Sequence, residues 1–425
     1  MDRHHRRPER TARQSAGSNP RVTDTPAPTA RLSQVEFIAL IGVLFATIAM
    51  SIDAMLPALP DIAAELTPDN LTLAQLVLTS FVLGMGAGTL ITGPLSDAFG
   101  RKPVIVVFSA LYIIGAGLAW AAQSMEVLIA ARVLQGIGAA GPRVVAMALV
   151  RDLYSGREMA KIMSFAMLVF TLFPAVAPLL GAGIIALFDW RAIFLALVLF
   201  IIVSVTWLSV RQPETLPPPA RRPLNARQLW QSTREVMSNT QMQFSIGVQT
   251  LIYGMLFGSL SSIQQIFDLT YDKAAIFPVL FGCIAVLSAP AAPLNGRLVV
   301  QLGMRPLVRR ALFMQTGLAG VFIVILGLGF APTTEVWFYF AWSVTVFATM
   351  GFTIGNLNAL ALEPLGHVAG LAASLMGALS TIGGALLGAL VGQLYNGTPL
   401  PLALAAGILC AIGGAVMLRM PREKV

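Results

Sequence analysis

The sequence predicts an all-α membrane protein with twelve transmembrane helices arranged as two bundles of six. Of its 425 residues, 56% are hydrophobic and only 11% are charged, whereas a soluble domain averages roughly 25% charged residues. Apolar runs of about twenty residues, each long enough to cross ~30 Å of hydrocarbon, recur from residue 37 onward. The longest polar segment between the runs, residues 211–241, divides them into six and six.

The predicted spans follow from the apolar runs taken in order. They cover residues 38–58, 73–93, 104–122, 127–149, 160–184, 192–209, 243–264, 274–295, 308–328, 336–358, 369–393 and 401–418. A soluble core would need polar helix faces that these runs do not have. The predicted organisation is a basic tail (1–36), a first bundle (37–210), a linker (211–241) and a second bundle with a short tail (242–425).

The placement of Lys and Arg predicts that both termini are cytoplasmic. With an even number of spans, both termini share one side of the membrane, and that side carries 24 of the 28 Lys and Arg residues. The opposite side holds only Arg191 and Lys273. Positive residues mark the cytoplasmic side of a membrane protein.

The N-terminal tail is rich in Arg, Pro, Ser and Thr, a composition typical of a disordered segment. No A-x-A-like site follows the first apolar run, so a cleavable signal peptide is not expected. Membrane topology and contact with anionic lipid explain the net charge of +8, and nucleic acid is not expected as a partner.

Nothing in the sequence indicates an active site. Cys283 and Cys410 both fall inside predicted spans, which argues against a disulfide framework or a zinc site. Apart from the His4–His5 pair in the tail, the chain has only His367, and it has no Ser-His-Asp set or metal-ligand spacing. We therefore expect no enzyme activity, no metal and no cofactor.

A repeated turn indicates that the two bundles arose by duplication. The turn after span two reads "GPLSDAFGRKP" (93–103), and the turn after span eight, 203 residues later, reads "GRLVVQLGMRP" (296–306). The two turns share glycines, a leucine, a basic residue and a proline at matching positions. Internal repeats of this kind are typical of transporters.

Four motifs resemble those of the major facilitator superfamily. They are "SIDAMLPALPDI" (51–62) in span one, "GPLSDAFGRKP" (93–103) after span two, "RVLQGIGAAG" (132–141) in span four and "PAVAPLLGAG" (174–183) in span five. Together they resemble the bicyclomycin and chloramphenicol resistance subfamily of drug:proton antiporters. The resemblance implies the major facilitator fold, a bacterial inner membrane and a monomer. Two departures are Ala177, where the family has glycine before Pro178, and Val300, the counterpart of Asp97 in the second repeat.

The turn after span two is a candidate conformational latch. Its glycines permit a tight reversal between helices, and Pro103 suits the first turn of span three. An acid at this place can pair with a base or lie at the N-terminus of another helix. Topogenic charge alone is the alternative. The resemblance implies a latch that holds the two bundles together in the outward-facing state, formed by Gly93, Asp97, Gly100, Arg101, Lys102 and Asp152.

Span five carries a stripe of prolines and glycine. Pro174, Pro178 and Gly181 fall at i, i+4 and i+7 on one helix face, and the prolines remove backbone hydrogen bonds. The helix is then bent either merely for packing or, as the resemblance implies, to seal the bundle interface against proton leak. Gly183 belongs to the same predicted bend.

Span four contains two arginines, each costing roughly 2.5–3.5 kcal/mol near the middle of a bilayer. Arg132 and Arg143 are eleven residues apart, about 16 Å along a helix and only ~20° around it, so they share a stripe with Gln135. Asp53 in span one lies at nearly the depth of Arg132, where opposite charges would stabilise each other. A static ion pair, or for Arg143 extension of the side chain toward the cytoplasm, is the structural alternative. The functional hypothesis is a proton switch in which Asp53 titrates, and the resemblance implies a proton-relay role for Arg132.

Several intramembrane polar or adaptable side chains are candidates for substrate contact, although interhelical hydrogen bonds are an equal alternative for each. They are Met55, Gln135, Gln249, Tyr253, Gln264 and Asn356. Eighteen methionines and many phenylalanines also suit an adaptable apolar pocket.

The leading hypothesis is a proton-coupled exporter of small, partly apolar drugs. An exporter of an endogenous metabolite or metal chelator is the alternative, and a receptor or scramblase with a transporter-like fold is a third class. A receptor needs no proton switch, so Asp53 and Arg132 argue against that class. No residue identifies the substrate.

Overall fold

The computed structural model describes residues 32–221 and 223–420, where helices are joined by turns and loops and no strand occurs. Residues 1–31 of the predicted tail lie outside this part of the chain. The helices in this part are α1 (Gln34–Asp53), α2 (Leu59–Leu66), α3 (Leu76–Phe99), α4 (Arg101–Trp120), α5 (Met125–Leu153), α6 (Gly156–Leu187), α7 (Ala192–Arg211), α8 (Ala226–Ser238), α9 (Thr240–Gln265), α10 (Phe277–Ser288), α11 (Ala291–Leu302), α12 (Met304–Gly327), α13 (Pro332–Leu362), α14 (Ala369–Gln393) and α15 (Leu400–Arg419).

Ten helical stretches in the described part of the chain are long and apolar enough to cross a membrane. One of them, Pro332–Gln393, contains two helices, α13 and α14, joined by a 3-10 turn. Within α6, the residues Phe173–Leu187 form a shorter apolar helix. The chain is therefore a multi-pass membrane protein, as the hydropathy pattern predicts.

The helical segment of the first predicted span is broken near its middle. α1 ends at Asp53, a 3-10 turn covers Leu56–Ala58, and α2 then continues to Leu66. The break has a local cause, because Pro57 and Pro60 begin the turn and α2 and have no N–H to donate to a continuous helix. Helical structure resumes after the break and ends at Leu66, thirteen residues beyond Asp53. Asp53 therefore lies further from the end of this helical segment than the predicted boundary at residue 58 indicates.

The linker contains a helix that the sequence pattern does not reveal. α8 begins after Asn225, whose side-chain oxygen accepts a hydrogen bond from the Gln228 backbone N–H at 3.1 Å. It packs against α9 and α14 and buries Val236 completely, while Trp230 on another face is 70% exposed.

Small residues allow the helices to approach closely, which is the usual basis of helix packing in membranes. In the first half of the chain (α1–α7), α5 packs against α3 and α4. A Cβ on Gly136 of α5 would lie 2.0 Å from the Phe81 carbonyl oxygen of α3. In the second half (α9–α15), α9 packs against α14 and α12 packs against α15. Contacts of α3 with α14 and of α6 with α10 join the two halves.

Candidate functional site

Arg132 lies completely buried on α5 and is held by neutral oxygen atoms. Its guanidinium donates hydrogen bonds to the Val77 carbonyl at 3.0 Å, to the Ser51 carbonyl at 2.9 Å and to Gln135 Oε1 at 2.7 Å. The guanidinium carbon also lies 4.4 Å from the centre of the Phe81 ring, within the range of a cation–π contact. One charged side chain thus joins α1, α3 and α5.

The break in α1 makes one of these acceptors available. In a regular helix the Met55 N–H would bond to the Ser51 carbonyl, but here it bonds to Ile52 at 3.3 Å. The Ser51 carbonyl is therefore free to accept from Arg132. The hydroxyl of Ser51 lies 2.6 Å from the Tyr112 hydroxyl of α4, which is also fully buried. Sequence reasoning did not single out Ser51 or Tyr112, because both are uncharged and the Ser51 carbonyl becomes available to Arg132 only at the break near Asp53.

Asp53 does not form the expected ion pair with Arg132. It is the last residue of α1 and is only 5% exposed. In the described part of the chain, no residue forms an ion pair or a hydrogen bond with the Asp53 carboxyl group. The prediction that equal depth would pair the two charges is wrong for this conformation, since backbone and amide oxygens already satisfy Arg132.

Arg143 has a different environment from Arg132, although both lie on α5. It is only partly buried, and its Nη1 lies 3.7 Å from the Met85 sulfur on α3. No carboxylate lies within ion-pair distance of it in the described part of the chain.

Gly181 of the span-five stripe contacts the break in α1, and α6 also packs against α10 of the second half. Pro174 and Pro178 lie inside α6, which is assigned as one helix from Gly156 to Leu187. A Cβ on Gly181 would lie 2.1 Å from the Ala54 carbonyl oxygen, next to Asp53, so a larger residue does not fit there. Gly183 has open space around it and is not a packing position of this kind.

The predicted latch is assembled around Arg101, which is 7% exposed. Its guanidinium pairs with Asp97 of α3 and, at 2.9 Å, with Asp152 of α5, and it donates to the Ser96 hydroxyl at 2.9 Å. These contacts tie α3, α4 and α5 together within the first half. In this conformation these contacts do not cross to the second half. A contact between the bundles in the outward-facing state, which the resemblance implies, stays a prediction.

The two glycines of the turn have different roles. Gly100 forms the reversal between α3 and α4 with φ of 103°, a conformation that favours glycine. Gly93 was predicted at the same reversal but lies inside α3, where a Cβ would approach the Ser374 hydroxyl of α14 to 3.3 Å. Its place is at the contact between the halves.

A linker carboxylate completes the latch. Glu214 accepts hydrogen bonds from the backbone N–H groups of Arg101 and Lys102, both at 3.0 Å, and so provides a negative charge at the N-terminus of α4. Thr215 donates to Asp152 at 2.8 Å. A Cβ on Gly100 would lie 2.9 Å from Glu214 Oε2, so the glycine also makes room for the carboxylate. Sequence reasoning missed Glu214, because it lies over a hundred residues from the turn in a proline-rich segment.

The turn geometry recurs in the second half. Gly303 has φ of 77° at the position that corresponds to Gly100. Arg305 donates to Gln241 Oε1 at 3.1 Å, and Val300 is 85% exposed.

The six candidate substrate residues do not gather around one described cavity. Gln135 uses its oxygen to bind Arg132, and Asn356 of α13 donates to Asn295 Oδ1 of α11 at 2.7 Å, an interhelical hydrogen bond. Gln249 and Gln264 are buried, and their side-chain oxygens have no hydrogen-bond partner among the described residues. Met55 is fully buried, and the ring of Tyr253 lies 5.5 Å from that of Phe257.

A cavity of about 590 Å³ lies instead at the end of the molecule that carries the latch. It separates the two halves there, with α8 forming one wall. Its lining includes Asp97 and Ala148 from the first half, Gln228 from the linker, and Leu371 and Ser374 from the second half.

Comparisons with known proteins agree with this architecture. The sequence profile of the Major Facilitator Superfamily matches residues 39–388. The bicyclomycin resistance protein homolog of Haemophilus influenzae is 32% identical over 88% of this chain and 94% of its own length. The chloramphenicol resistance protein of Pseudomonas aeruginosa is 28% identical over 78% of this chain and 80% of its own length.

Solved structures share the fold at low sequence identity. The xylose transporter XylE from E. coli, in a partially occluded inward-open conformation, aligns with 92% of this chain and 98% of its own, with a TM-score of 0.70 and 14% identity. The resemblance carried by the four sequence motifs is confirmed, because the family profile spans most of the chain and a relative above 30% identity aligns over nearly all of it. The chain belongs to the Major Facilitator Superfamily.

Proposed function

We propose that this protein is a proton-coupled antiporter that exports small, partly apolar drugs across a bacterial inner membrane by alternating access. The observation that carries the proposal is the arrangement of two buried ionisable side chains. Arg132 donates hydrogen bonds to three neutral oxygens, while Asp53 is buried at a helix break with no counter-charge among the described residues. The relatives named for resistance to bicyclomycin and chloramphenicol support drugs as the cargo.

Asp53 is the proposed proton carrier. A carboxyl group that is buried without a cation or a donor is stable in its neutral, protonated form, because an isolated charge is strongly disfavoured in a low-dielectric interior. The charged form becomes favourable once water or a cation reaches the group. A rearrangement at the break in α1 would therefore be sufficient to load and release a proton.

The helices and the placement of charge support the proposed membrane arrangement. Counting α13 and α14 separately and α6 as a whole gives twelve crossing helices, six on each side of the linker. The positive-inside rule places the latch and both termini in the cytoplasm. The cavity between the halves then opens toward the cytoplasm, which corresponds to an inward-facing state like the one named for XylE.

The span-five stripe fits the same mechanism. Gly181 brings α6 against Ala54, directly beside Asp53, and Gly282 of α10 would have its Cβ 2.8 Å from the Ala175 carbonyl oxygen. The α6 segment therefore lies between the proton-carrying residue and the second half. A shift of the halves can reach Asp53 through this contact.

Transport under an imposed pH gradient tests the proposal. The purified protein is reconstituted into liposomes, and uptake of radiolabelled chloramphenicol is measured with and without a gradient. We expect Asp53→Asn to abolish gradient-driven uptake while keeping exchange of unlabelled for labelled drug, because the amide cannot carry the proton. Asp61→Asn is the matched control, since Asp61 is an exposed acid on α2. Gradient-driven uptake by Asp53→Asn at the rate of the control would exclude Asp53 as the proton carrier.

A further inference from the structure

A set of polar side chains joins the two halves at the end of the molecule opposite the latch. Thr72 and Gln75 lie in the 3-10 turn before α3, Gln265 is the last residue of α9, and Gln393 is the last residue of α14. Thr72 donates to Gln393 Oε1 at 3.2 Å, and Gln393 Nε2 donates to the Thr72 carbonyl at 2.9 Å. Gln75 Nε2 donates to Gln265 Oε1. We call these four residues the polar seam.

The seam closes tightly over buried groups. Gln75 is only 3% exposed, and a Cβ on Gly392 of α14 would lie 2.1 Å from Gln75 Oε1. Ser261, one helical turn before Gln265 on α9, also lies beside Gly392 and is 1% exposed. Its hydroxyl has no hydrogen-bond partner among the described residues, so the seam shields a polar group that water would otherwise satisfy.

The two ends of the molecule therefore differ. At the latch end a cavity of about 590 Å³ separates the halves, whereas at the seam end direct hydrogen bonds connect them. These three hydrogen bonds each have one partner in each half, although the Thr72 hydroxyl also lies 2.6 Å from Asn70 Oδ1 within the first half. All of them must break when this end opens, while hydrogen bonds within one half are indifferent to that movement.

We propose that the polar seam is the outer gate of the transporter and sets the balance between its inward-facing and outward-facing states. This inference rests on the proposed function for the assignment of the seam to the external side. The seam residues are uncharged amides and a hydroxyl, so none of the four side chains titrates near neutral pH. Opening the gate breaks neutral hydrogen bonds, each of which changes an equilibrium about fivefold.

Labelling of a cysteine behind the seam measures the opening. Ser261→Cys is introduced in a background with Cys283→Ser and Cys410→Ala, and intact cells are treated with a membrane-impermeant maleimide. Thr72→Val combined with Gln393→Leu removes two of the interhelical hydrogen bonds. We expect labelling at position 261 to become about five- to twentyfold faster in this double variant, because the outward-open population rises.

A second variant, in α14, perturbs the seam from the second half of the chain and serves as a check against misfolding of the first variant. Gly392→Ala places a Cβ against Gln75 Oε1 and should also accelerate labelling. The matched control is Thr398→Val, because Thr398 makes its hydroxyl hydrogen bond to Asn396 within a single loop. Labelling at the control rate in both seam variants would overturn the outer gate. Faster labelling with drug uptake that ignores a pH gradient would uphold the gate and refute proton coupling instead.

Discussion

At the scale of single residues, burial of a charge could be predicted but its partners could not. An arginine within an apolar run must face protein or water, so the sequence indicates that Arg132 is enclosed. Its principal acceptor on α1, the Ser51 carbonyl, is available only because the Met55 N–H bonds elsewhere at the helix break. A hydropathy pattern carries no information about the displacement of one backbone hydrogen bond. Asp53, which the sequence indicates as the ionic partner of Arg132, is therefore not its partner in this conformation.

The environments of the two α5 arginines predict unequal effects of mutation. We expect Arg132→Ala to reduce gradient-driven uptake at least about a hundredfold, since it leaves three buried neutral acceptors unpaired, at roughly 1–3 kcal/mol each. Arg143→Ala should cost less than tenfold, because Arg143 is only partly buried and its described contact is a sulfur atom. Initial uptake rates in liposomes, normalised to protein amount, compare the two variants.

Lysine at position 132 separates charge from shape. Arg132→Lys keeps the charge but cannot reach Val77, Ser51 and Gln135 with one planar group, so partial recovery is expected. Equal and mild losses in Arg132→Ala and Arg143→Ala would mean that both arginines merely fill a structural stripe.

At the scale of elements, the pattern of the sequence located the crossing helices but not their interruptions or their caps. Pro57 and Pro60 account for the break between α1 and α2 once the structure is known. By hydropathy alone, the same residues belong to one continuous apolar run. α8 escaped prediction because it is short, polar overall and preceded by a proline-rich segment. Glu214 escaped because a side chain from a distant linker caps α4, and sequence distance conceals such contacts.

The cap of α4 supplies a prediction at this scale. Glu214→Ala leaves the Arg101 and Lys102 backbone N–H groups without their acceptor, and loss of a helix cap costs about 1 kcal/mol. We expect a lower midpoint of thermal unfolding and slower transport, because the same residue anchors the linker to the latch. Unfolding of the detergent-purified protein, followed by tryptophan fluorescence, measures the first effect.

A comparison with another acid isolates the cap from bulk charge. Glu158 is an exposed acid in the first turn of α6, so Glu158→Ala makes the same change in net charge. Glu214→Gln should retain part of the stability, since one side-chain oxygen can still accept. If Glu214→Ala and Glu158→Ala had the same unfolding midpoint, the carboxylate would not stabilise the latch.

At the scale of the whole molecule, duplication and charge placement predicted two related halves, but not the state in which they meet. Alternative states of a transporter differ by only a few kcal/mol, and the sequence encodes all of them. The structure shows the seam end closed, the latch end separated by a cavity, and continuous contacts of α3 with α14 and of α6 with α10 between the two ends. Under the proposed alternating access, we expect the halves to rock about these two contacts without separating.

Such a pivot requires close approach, which Gly282 tests. A Cβ there would lie 2.8 Å from the Ala175 carbonyl oxygen, a backbone atom that cannot move alone. Gly282→Val should therefore force α10 away from α6, at about 1–3 kcal/mol for overpacking, and slow uptake about tenfold. Gly317→Val on α12 is the matched control, because it adds the same side chain to a transmembrane helix where nothing lies within 4 Å. Since the first-half latch does not involve α10, a reporter cysteine beside Arg101 should keep its labelling rate in Gly282→Val. Normal uptake in this variant would mean that the halves do not turn about the α6–α10 contact, and the pivot would have to be carried by α3 and α14 alone.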